Sequence, residues 1–281
     1  MTDAPARGRL LIVGTPIGNL GDLSPRAADA LRSADLVVAE DTRMAARLLA
    51  HLDVRRPTVS YNPHNAAERL PGLLARLAAG ETLALTTDAG MPAVSDPGAD
   101  LVAAAREAGT LVQVIPGPAA VTAAMALSGV EAGGFVFGGF LPSRPASARS
   151  SALDCLLAAA GSVSLPLILY EAPHRVGALL SSLAALRPDA RVALGRELTK
   201  RHEQVLVGSA SEVASELGEP RGEFTLVISG LPPPAVASEE PSVEAVLDAG
   251  YRAGLPDRTL VELLRALGVP RREAYRRISG R

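Results

Sequence analysis

The chain has 281 residues, of which 48% are hydrophobic and only 3% aromatic, so Ala, Val and Leu must supply most of its core. Its net charge of −2 gives no sign of a nucleic-acid partner, and the single cysteine excludes an internal disulfide framework and fits a reducing compartment. The N-terminus lacks an apolar signal core, and no apolar run reaches about 18 residues. We therefore expect a soluble cytoplasmic protein with no membrane partner, and the length predicts about two domains.

Strand-like and helix-like segments alternate through residues 1–128, which we interpret as an N-terminal α/β domain. The predicted strands are Arg9–Val13, 35–39, Thr58–Ser60, 82–85 and Leu111–Ile115. Helices are predicted from Pro25, behind a Ser24 cap, and over 44–51, 65–79, 99–108 and 119–128. This alternation favours a mainly parallel five-stranded sheet that is covered on both faces.

The unusual segments of this half all follow predicted strands: TPIGN, EDTR, YNPHN, TDAGMP and PGP. Carboxyl ends of parallel strands share one edge of a sheet, and open α/β sheets bind ligands at that edge. The segment 82–98, TLALTTDAGMPAVSDPG, combines a buried strand with a loop stiffened by Pro92 and Pro97 and given freedom by Gly90 and Gly98. We interpret it as the floor of a binding site. The alternative is an ordinary strand-to-helix connection.

Residues 129–230 form a predicted second α/β domain. Strands are predicted over 135–140, 165–170, 191–194, 205–207 and 223–229, with helices over 151–160, up to Leu186 and over 211–217. Several consecutive strands favour a mixed sheet.

A Pro-rich linker, 231–241, precedes a small C-terminal helical unit, 242–281. Ser242 and Asp257 are predicted to cap its first two helices, and the third carries Arg271, Arg272 and Arg276. Two helices joined by a short glycine turn, the last one basic, resemble a helix-turn-helix that contacts nucleic acid. A dimerisation or packing appendage is the alternative.

The chemistry of the predicted site is suggested by what its loops lack. The sequence has no GxxxxGK[ST] or GxGxxG phosphate loop, and four dispersed His with one Cys predict no metal site. TDAGMP and PGPAA carry little positive charge, which suits a nucleoside whose reactive group is itself cationic. S-adenosylmethionine, a sulfonium, is such a ligand.

Six segments, in this order and spacing, resemble the ribosomal small-subunit RNA methyltransferase I family, which has the tetrapyrrole-methylase fold: TPIGNLGDL, AEDTR, TDAGMPAVSDPG, IPGPAA, YEAPHR and RELTK. The resemblance covers about residues 9–230, and the tail resembles the family's C-terminal domain. It implies S-adenosylmethionine-dependent methylation of the ribose 2′-hydroxyl of a cytidine in the decoding region of 16S ribosomal RNA, in the small subunit. It also implies a homodimer, with the cofactor between the two α/β domains.

The resemblance also implies a set of cofactor contacts by position. These are Pro16, Ala89, Gly90, Met91, Val94, Ala119, Ala120, Tyr170, Glu171 and Thr225. The pair Tyr61-Asn62 departs from the more polar, His-containing pair common in the family, and Arg221 replaces a common Lys.

Lys200 is the single lysine among 28 basic residues, and it is the first candidate for a general base that assists loss of the hydroxyl proton. A desolvated lysine beside Arg196 and Arg201 is expected to have a lowered pKa. Glu197 and Glu171 are candidates to accept the proton or to hold Lys200. The alternative is a structural ion-pair cluster in GRELTK.

Arginines at several places are candidate RNA contacts: Arg43, Arg144, Arg149, Arg175, Arg271, Arg272 and Arg276. Two other functions stay open from the sequence. One is a methylase of the same fold that acts on a tetrapyrrole carbon or a protein side chain, and the other is a non-enzymatic RNA-binding assembly factor.

Overall fold

The computed structural model describes residues 8–233, 243–252, 256–266 and 268–279. They divide into two compact units, one ending at Pro232 and one beginning at Pro233. No helix in the described ranges is both long and apolar enough to cross a membrane.

The first sheet has the order β3-β2-β4-β1-β5, and all its strands are parallel, which confirms the predicted architecture. Its strands are β1 (Arg9–Val13), β2 (Leu36–Ala39), β3 (Thr58–Ser60), β4 (Thr82–Thr86) and β5 (Leu111–Ile115). Neighbouring residues on β1 enter different cores, because strand side chains alternate. Leu10 packs with Leu83 on one face, and Leu11 packs with Leu31 on the other.

Helices cover both faces of this sheet. They are α1 (Pro25–Ser33), α2 (Thr42–His51), α3 (Ala66–Ala78), α4 (Ala99–Glu107) and α5 (Ala120–Leu127). Ser24 caps α1 by accepting from the Ala27 N–H, as the sequence predicts, and Asp41 caps α2. Tyr61 is buried and donates to Asp100 Oδ2 at 2.6 Å, so this departure from the family pattern has a packing role.

The second sheet is mixed, as predicted, with the order β6-β7-β10-β8-β9. Its strands are β6 (Val136–Phe140), β7 (Leu167–Glu171), β8 (Arg191–Arg196), β9 (Gln204–Ser209) and β10 (Phe224–Ser229). The β6–β7 pair is parallel and the other three pairs are antiparallel. Three helices belong to this half: α6 (Ala146–Ser162), α7 (Pro173–Leu186) and α8 (Ala210–Glu216). α6 begins five residues before its predicted start at 151.

α5 follows the first sheet in the chain but packs on the second. Val121 and Ala124 share a buried cluster with Ile168, Ala193 and Val227 of three different strands. Both sheets therefore lie in one compact unit, and the boundary proposed near residue 128 stays a prediction.

The second unit contains three helices in its described ranges: α9 (Val243–Arg252), α10 (Asp257–Ala266) and α11 (Arg271–Ser279). Its core is formed by Leu247, Leu260, Val261, Leu264, Ala274 and Ile278. Asp257 is the first residue of α10 rather than the residue before it. Ser242 and most of the predicted 231–241 linker lie outside the described residues.

Candidate active site

Loops that follow β1 and β4 are joined by a two-residue bridge at one edge of the first sheet. The Thr15 N–H donates to the Gly90 carbonyl at 2.8 Å, and the Gly90 N–H donates back to the Thr15 carbonyl at 3.1 Å. The Thr15 hydroxyl donates to the Thr87 carbonyl at 3.2 Å. Gly90 has a φ of 85°, which favours glycine. The loop that contains TDAGMP is therefore fixed rather than free.

The loop after β5 is held against the loop after β1 by backbone contact. A Cβ on Gly14 would lie 2.5 Å from the Gly117 nitrogen, and one on Gly117 would lie 2.7 Å from the Gly14 carbonyl carbon. Met91 lies over this contact, and its sulfur accepts from the Gly117 N–H at 3.3 Å. Neither glycine position has room for a side chain.

These loops form one wall of a cavity of about 410 Å³, and the ends of β7 and β10 form another. That volume is in the range of small-molecule and cofactor sites. Nine of the ten predicted cofactor contacts line it: Ala89, Gly90, Met91, Val94, Ala119, Ala120, Tyr170, Glu171 and Thr225. Pro16 does not line it, although its neighbour Ile17 does.

The charged residues that line the cavity are all acidic: Glu40, Asp88, Asp96, Glu171 and Glu223. No Lys, Arg or His occurs among the described residues of the lining. Only Glu171 was predicted as a site residue from the sequence. The other four were identifiable from their position, because Glu40, Asp88 and Asp96 lie in the loops that follow β2 and β4 and Glu223 directly precedes β10.

Two of these carboxyl groups have altered acidity. Burial, reinforced by the nearby Glu40 and Asp88 charges, raises the pKa of Asp96 to about 6, against an opposing contact from Thr87. Burial and Glu40 also raise the pKa of Asp88, although the Asp41 N–H bonds to it. The cavity wall between β2 and β4 therefore favours a proton or a cationic ligand.

Glu171 is the most enclosed of the acidic residues, with no exposed side-chain surface. Its Oε1 accepts from Arg175 Nη2 at 2.5 Å and from the Ala172 N–H at 2.8 Å. Its Oε2 is buried and has no hydrogen-bond partner among the residues that the structure describes. Since a buried unpaired carboxylate oxygen is costly, this atom is suited to accept from a ligand hydroxyl or amine.

Tyr170 links the two halves of the cavity. Its hydroxyl accepts from the Val121 N–H at 3.2 Å, in the first turn of α5. Its ring packs edge-on against Phe137, with centroids 5.1 Å apart, and lies 5.4 Å from Phe140. Burial raises the pKa of the phenol, so it stays protonated at neutral pH.

Comparison with known proteins identifies the family. Residues 9–214 match the model of the Tetrapyrrole (Corrin/Porphyrin) Methylases. A "Ribosomal RNA small subunit methyltransferase I" from Synechocystis is 41% identical over 276 residues, which cover 95% of this chain and 96% of the relative. The chain belongs to the ribosomal RNA small subunit methyltransferase I family. It is therefore a methyltransferase.

A shorter relative and a solved structure add information on chain length and fold. The family member from Thermotoga maritima is 39% identical over 225 residues, which cover 79% of this chain and 99% of the relative. A uroporphyrin-III C-methyl transferase from Thermus thermophilus, complexed with S-adenyl homocysteine, superposes with a TM-score of 0.57 at 20% identity. That alignment covers 80% of this chain and 98% of the Thermus chain, and it shows the shared fold.

In this methyltransferase, Lys200 is part of an ion-pair cluster rather than of the cavity lining. Its Nζ lies 3.0 Å from Glu197 Oε1 and 2.9 Å from Glu223 Oε2. Burial alone would lower the pKa of Lys200, but hydrogen bonds to these two carboxylates raise it above its ordinary value. The expected lowering by Arg196 and Arg201 is thus wrong, because the nearest charges are acidic. Glu197 does not line the cavity either.

The candidate RNA contacts divide by exposure. Arg175 is 13% exposed and paired with Glu171, so it positions a cavity residue instead of presenting its charge at the surface. Arg149 is half-buried. The exposed members are Arg43, Arg144, Arg271, Arg272 and Arg276. Arg43 is bound to Asp41, while Arg271 lies 5.9 Å over the Tyr275 ring.

No group of three or more metal-ligating side chains is close enough to hold an ion within the described ranges.

Proposed function

We propose that the chain transfers the methyl group of S-adenosylmethionine to the ribose 2′-hydroxyl of a cytidine in the decoding region of 16S ribosomal RNA, with the small ribosomal subunit as substrate. The observation that carries the proposal is the charge of the cavity. Five carboxylates and no basic side chain border it in the described structure, and an excess of carboxylates favours a cationic donor over an anionic nucleotide. The names of the relatives support RNA of the small subunit as the acceptor.

The residues present fit the donor. Backbone groups of the loop around Gly90 and the start of α5 at Ala119 and Ala120 border the cavity, so they would hold the nucleoside part. The unpaired Oε2 of Glu171 would accept a hydrogen bond from it. The related Thermus enzyme is complexed with S-adenyl homocysteine, the demethylated form of the donor. When bound, the donor supplies a methyl group activated by its positive sulfur.

The chain's own residues then have three tasks. The fixed loops hold the donor in one orientation, because displacement of a methyl group requires the attacking oxygen to lie in line with the leaving sulfur. Phe140 and Tyr170 form an aromatic wall on one side of the cavity. Exposed arginines bind RNA phosphates, which places the target nucleotide without reading its base.

The test is transfer of a tritiated methyl group from S-adenosylmethionine to small ribosomal subunits that lack the modification, followed by digestion to nucleosides. We expect 2′-O-methylcytidine from one site. Label in a base, in protein or in an added tetrapyrrole would overturn the proposal, as would an absence of transfer.

A matched pair of variants links the activity to the cavity. Ala89 and Ala67 are both alanines outside the buried core, but only Ala89 borders the cavity. Ala89→Trp should weaken S-adenosylhomocysteine binding by about tenfold or more, since a loss of about 1.4 kcal/mol in binding free energy is tenfold in affinity. Ala67→Trp, on α3, should bind normally by calorimetry.

We also propose that the protein is a cytoplasmic homodimer. Leu111 and Val114 are each about half exposed on β5, the edge strand of the first sheet, and such an edge is usually covered. Light scattering should give twice the chain mass of 28.9 kDa.

A further inference from the structure

Three carboxylates stand together on the cavity wall formed by the loops after β2 and β4. Glu40 follows β2, while Asp88 and Asp96 lie in the single loop after β4. The Thr87 hydroxyl donates to Glu40 Oε2 at 2.9 Å and also lies within hydrogen-bond reach of Asp96. Because like charges at close range disfavour full ionisation, one member of such a group readily takes up a proton.

Hydrogen-bond partners distinguish the titratable groups of the cavity. Glu171 is paired with Arg175, and Glu223 is bound to Lys200 at 2.9 Å. The Tyr170 hydroxyl is protonated and accepts from the Val121 N–H.

Each of the three carboxylates of the wall instead has a polar contact with an uncharged group. Glu40 accepts from Thr87, and Asp88 Oδ1 accepts from the Asp41 N–H at 3.1 Å. Within the part of the chain that the structure describes, the polar contact of Asp96 is with Thr87, and its pKa of about 6 lies close to neutral pH. Asp96 is half-buried at the cavity wall whereas Asp88 is exposed, and its raised pKa suits it to accept a proton in the cavity.

Backbone strain near Asp96 indicates that its position is imposed by the loop. Ala93 and Ser95 have φ values of 66° and 63°, in the left-handed region that residues with a Cβ rarely adopt. The Ala93 N–H donates to the Pro97 carbonyl at 3.3 Å, which closes the loop around Asp96. Strained residues of this kind persist where the surroundings fix them, and they concentrate at functional sites.

We propose that Asp96 is the general base that removes the proton from the ribose 2′-hydroxyl. This inference rests on the proposed function, because it assigns the proton of that reaction. The ribose oxygen bonds to the methyl carbon while the carbon–sulfur bond breaks and its electron pair stays on sulfur. The hydroxyl proton passes to the Asp96 carboxylate, which later releases it to solvent.

The experiment compares wild type with Asp96→Asn, Asp96→Glu and Asp154→Asn in the full chain. Asp154 is an exposed residue of α6 and serves as the control. Methyl transfer to small subunits is measured as kcat and kcat/KM between pH 5 and 9. S-adenosylhomocysteine binding is measured by calorimetry as a readout of cavity integrity.

We expect wild-type kcat/KM to rise with pH through an acid limb centred on about 6 and then to level off. The groups that face Asp96 are Glu40, Asp88, Thr87 and Tyr170, so the limb belongs to this set as a coupled system. Asp96→Asn should lower kcat by about 10²- to 10⁴-fold and abolish the limb, with S-adenosylhomocysteine affinity kept within about threefold. Asp96→Glu should keep the limb and part of the rate, and Asp154→Asn should match wild type.

Each contrary result has its own meaning. If the wild-type protein methylates the ribose and Asp96→Asn keeps both the rate and the acid limb, this inference alone is refuted. If Asp96→Asn loses S-adenosylhomocysteine binding together with activity, the inference is also refuted, because Asp96 then has a structural role. Wild-type protein that transfers no methyl group refutes the proposed function and this inference together.

Discussion

Replacing Arg175 with Met should destabilise the protein far more than a change at a surface arginine. The Glu171 side chain is wholly buried and that of Arg175 is 13% exposed, with 2.5 Å between Oε1 and Nη2. Arg175→Met keeps most of the side chain's apolar packing but leaves the Glu171 carboxylate uncompensated. Removing one partner of a buried ion pair typically costs about 3–5 kcal/mol. We expect about 3 kcal/mol, the lower end of that range, because Arg175 is partly accessible to solvent.

Urea unfolding followed by circular dichroism gives the measurement, and Arg221→Met is the control. Arg221 pairs with Glu219 at 2.9 Å, but their side chains are 74% and 72% exposed, so the control should lose less than about 1 kcal/mol. Adding Glu171→Gln to Arg175→Met should recover part of the loss, since the unpaired charge is then absent. Equal losses for Arg175→Met and Arg221→Met would refute the burial argument.

Three further predictions concern the loops, the lysine cluster and the tail. Gly117→Ala should cost about 1–3 kcal/mol and weaken S-adenosylhomocysteine binding, because its Cβ would meet the Gly14 backbone; unchanged melting and affinity would contradict this. Lys200→Met should destabilise by about 1–2 kcal/mol at neutral pH. Burial would raise the pKa of Glu197, but the hydrogen bond from Lys200 holds it below its ordinary 4.5. The stabilisation that this hydrogen bond provides is lost as the pH falls and Glu197 takes up a proton. The deficit of Lys200→Met measured by urea unfolding should therefore shrink below about pH 4.5. Neutralising Arg271, Arg272 and Arg276 to Gln should reduce the slope of log affinity for RNA against log salt by about 2, at about 0.7 for each phosphate that is no longer neutralised. An unchanged slope in filter binding would remove the tail from RNA recognition.

The fold was predictable from sequence because its strands are short apolar runs with clear turn signals on both sides. All ten strands occur within about two residues of their predicted bounds. The sequence placed the start of α6 too late because SRPASARS reads as a polar loop, whereas α6 begins at Ala146 and buries its own Leu153 and Leu157 in the core of the second sheet. Tertiary contact, not local propensity, decides such a boundary.

The position of the site was predictable, but its electrostatics were not. Loops after parallel strands meet at one edge whatever their side chains are, so Gly90 and Ala119 lie together in space. The acidity of a group depends on neighbours that are distant in sequence. Glu223 lies 23 residues from Lys200 and reverses the expected shift of its pKa, and Glu40, in the loop after β2, acts on Asp96, in the loop after β4. Spacing along the chain carries little information about such pairs.

The position of α5 has a consequence for how the protein is made. Val121 and Ala124 emerge from the ribosome well before β10, the central strand that carries their partner Val227. Until that strand is synthesised, the helix has no complete surface to rest on and the donor has no enclosed place to bind. The two halves are therefore not interchangeable modules: a chimaera joined at residue 128 must preserve the fit between this helix and a sheet taken from another relative.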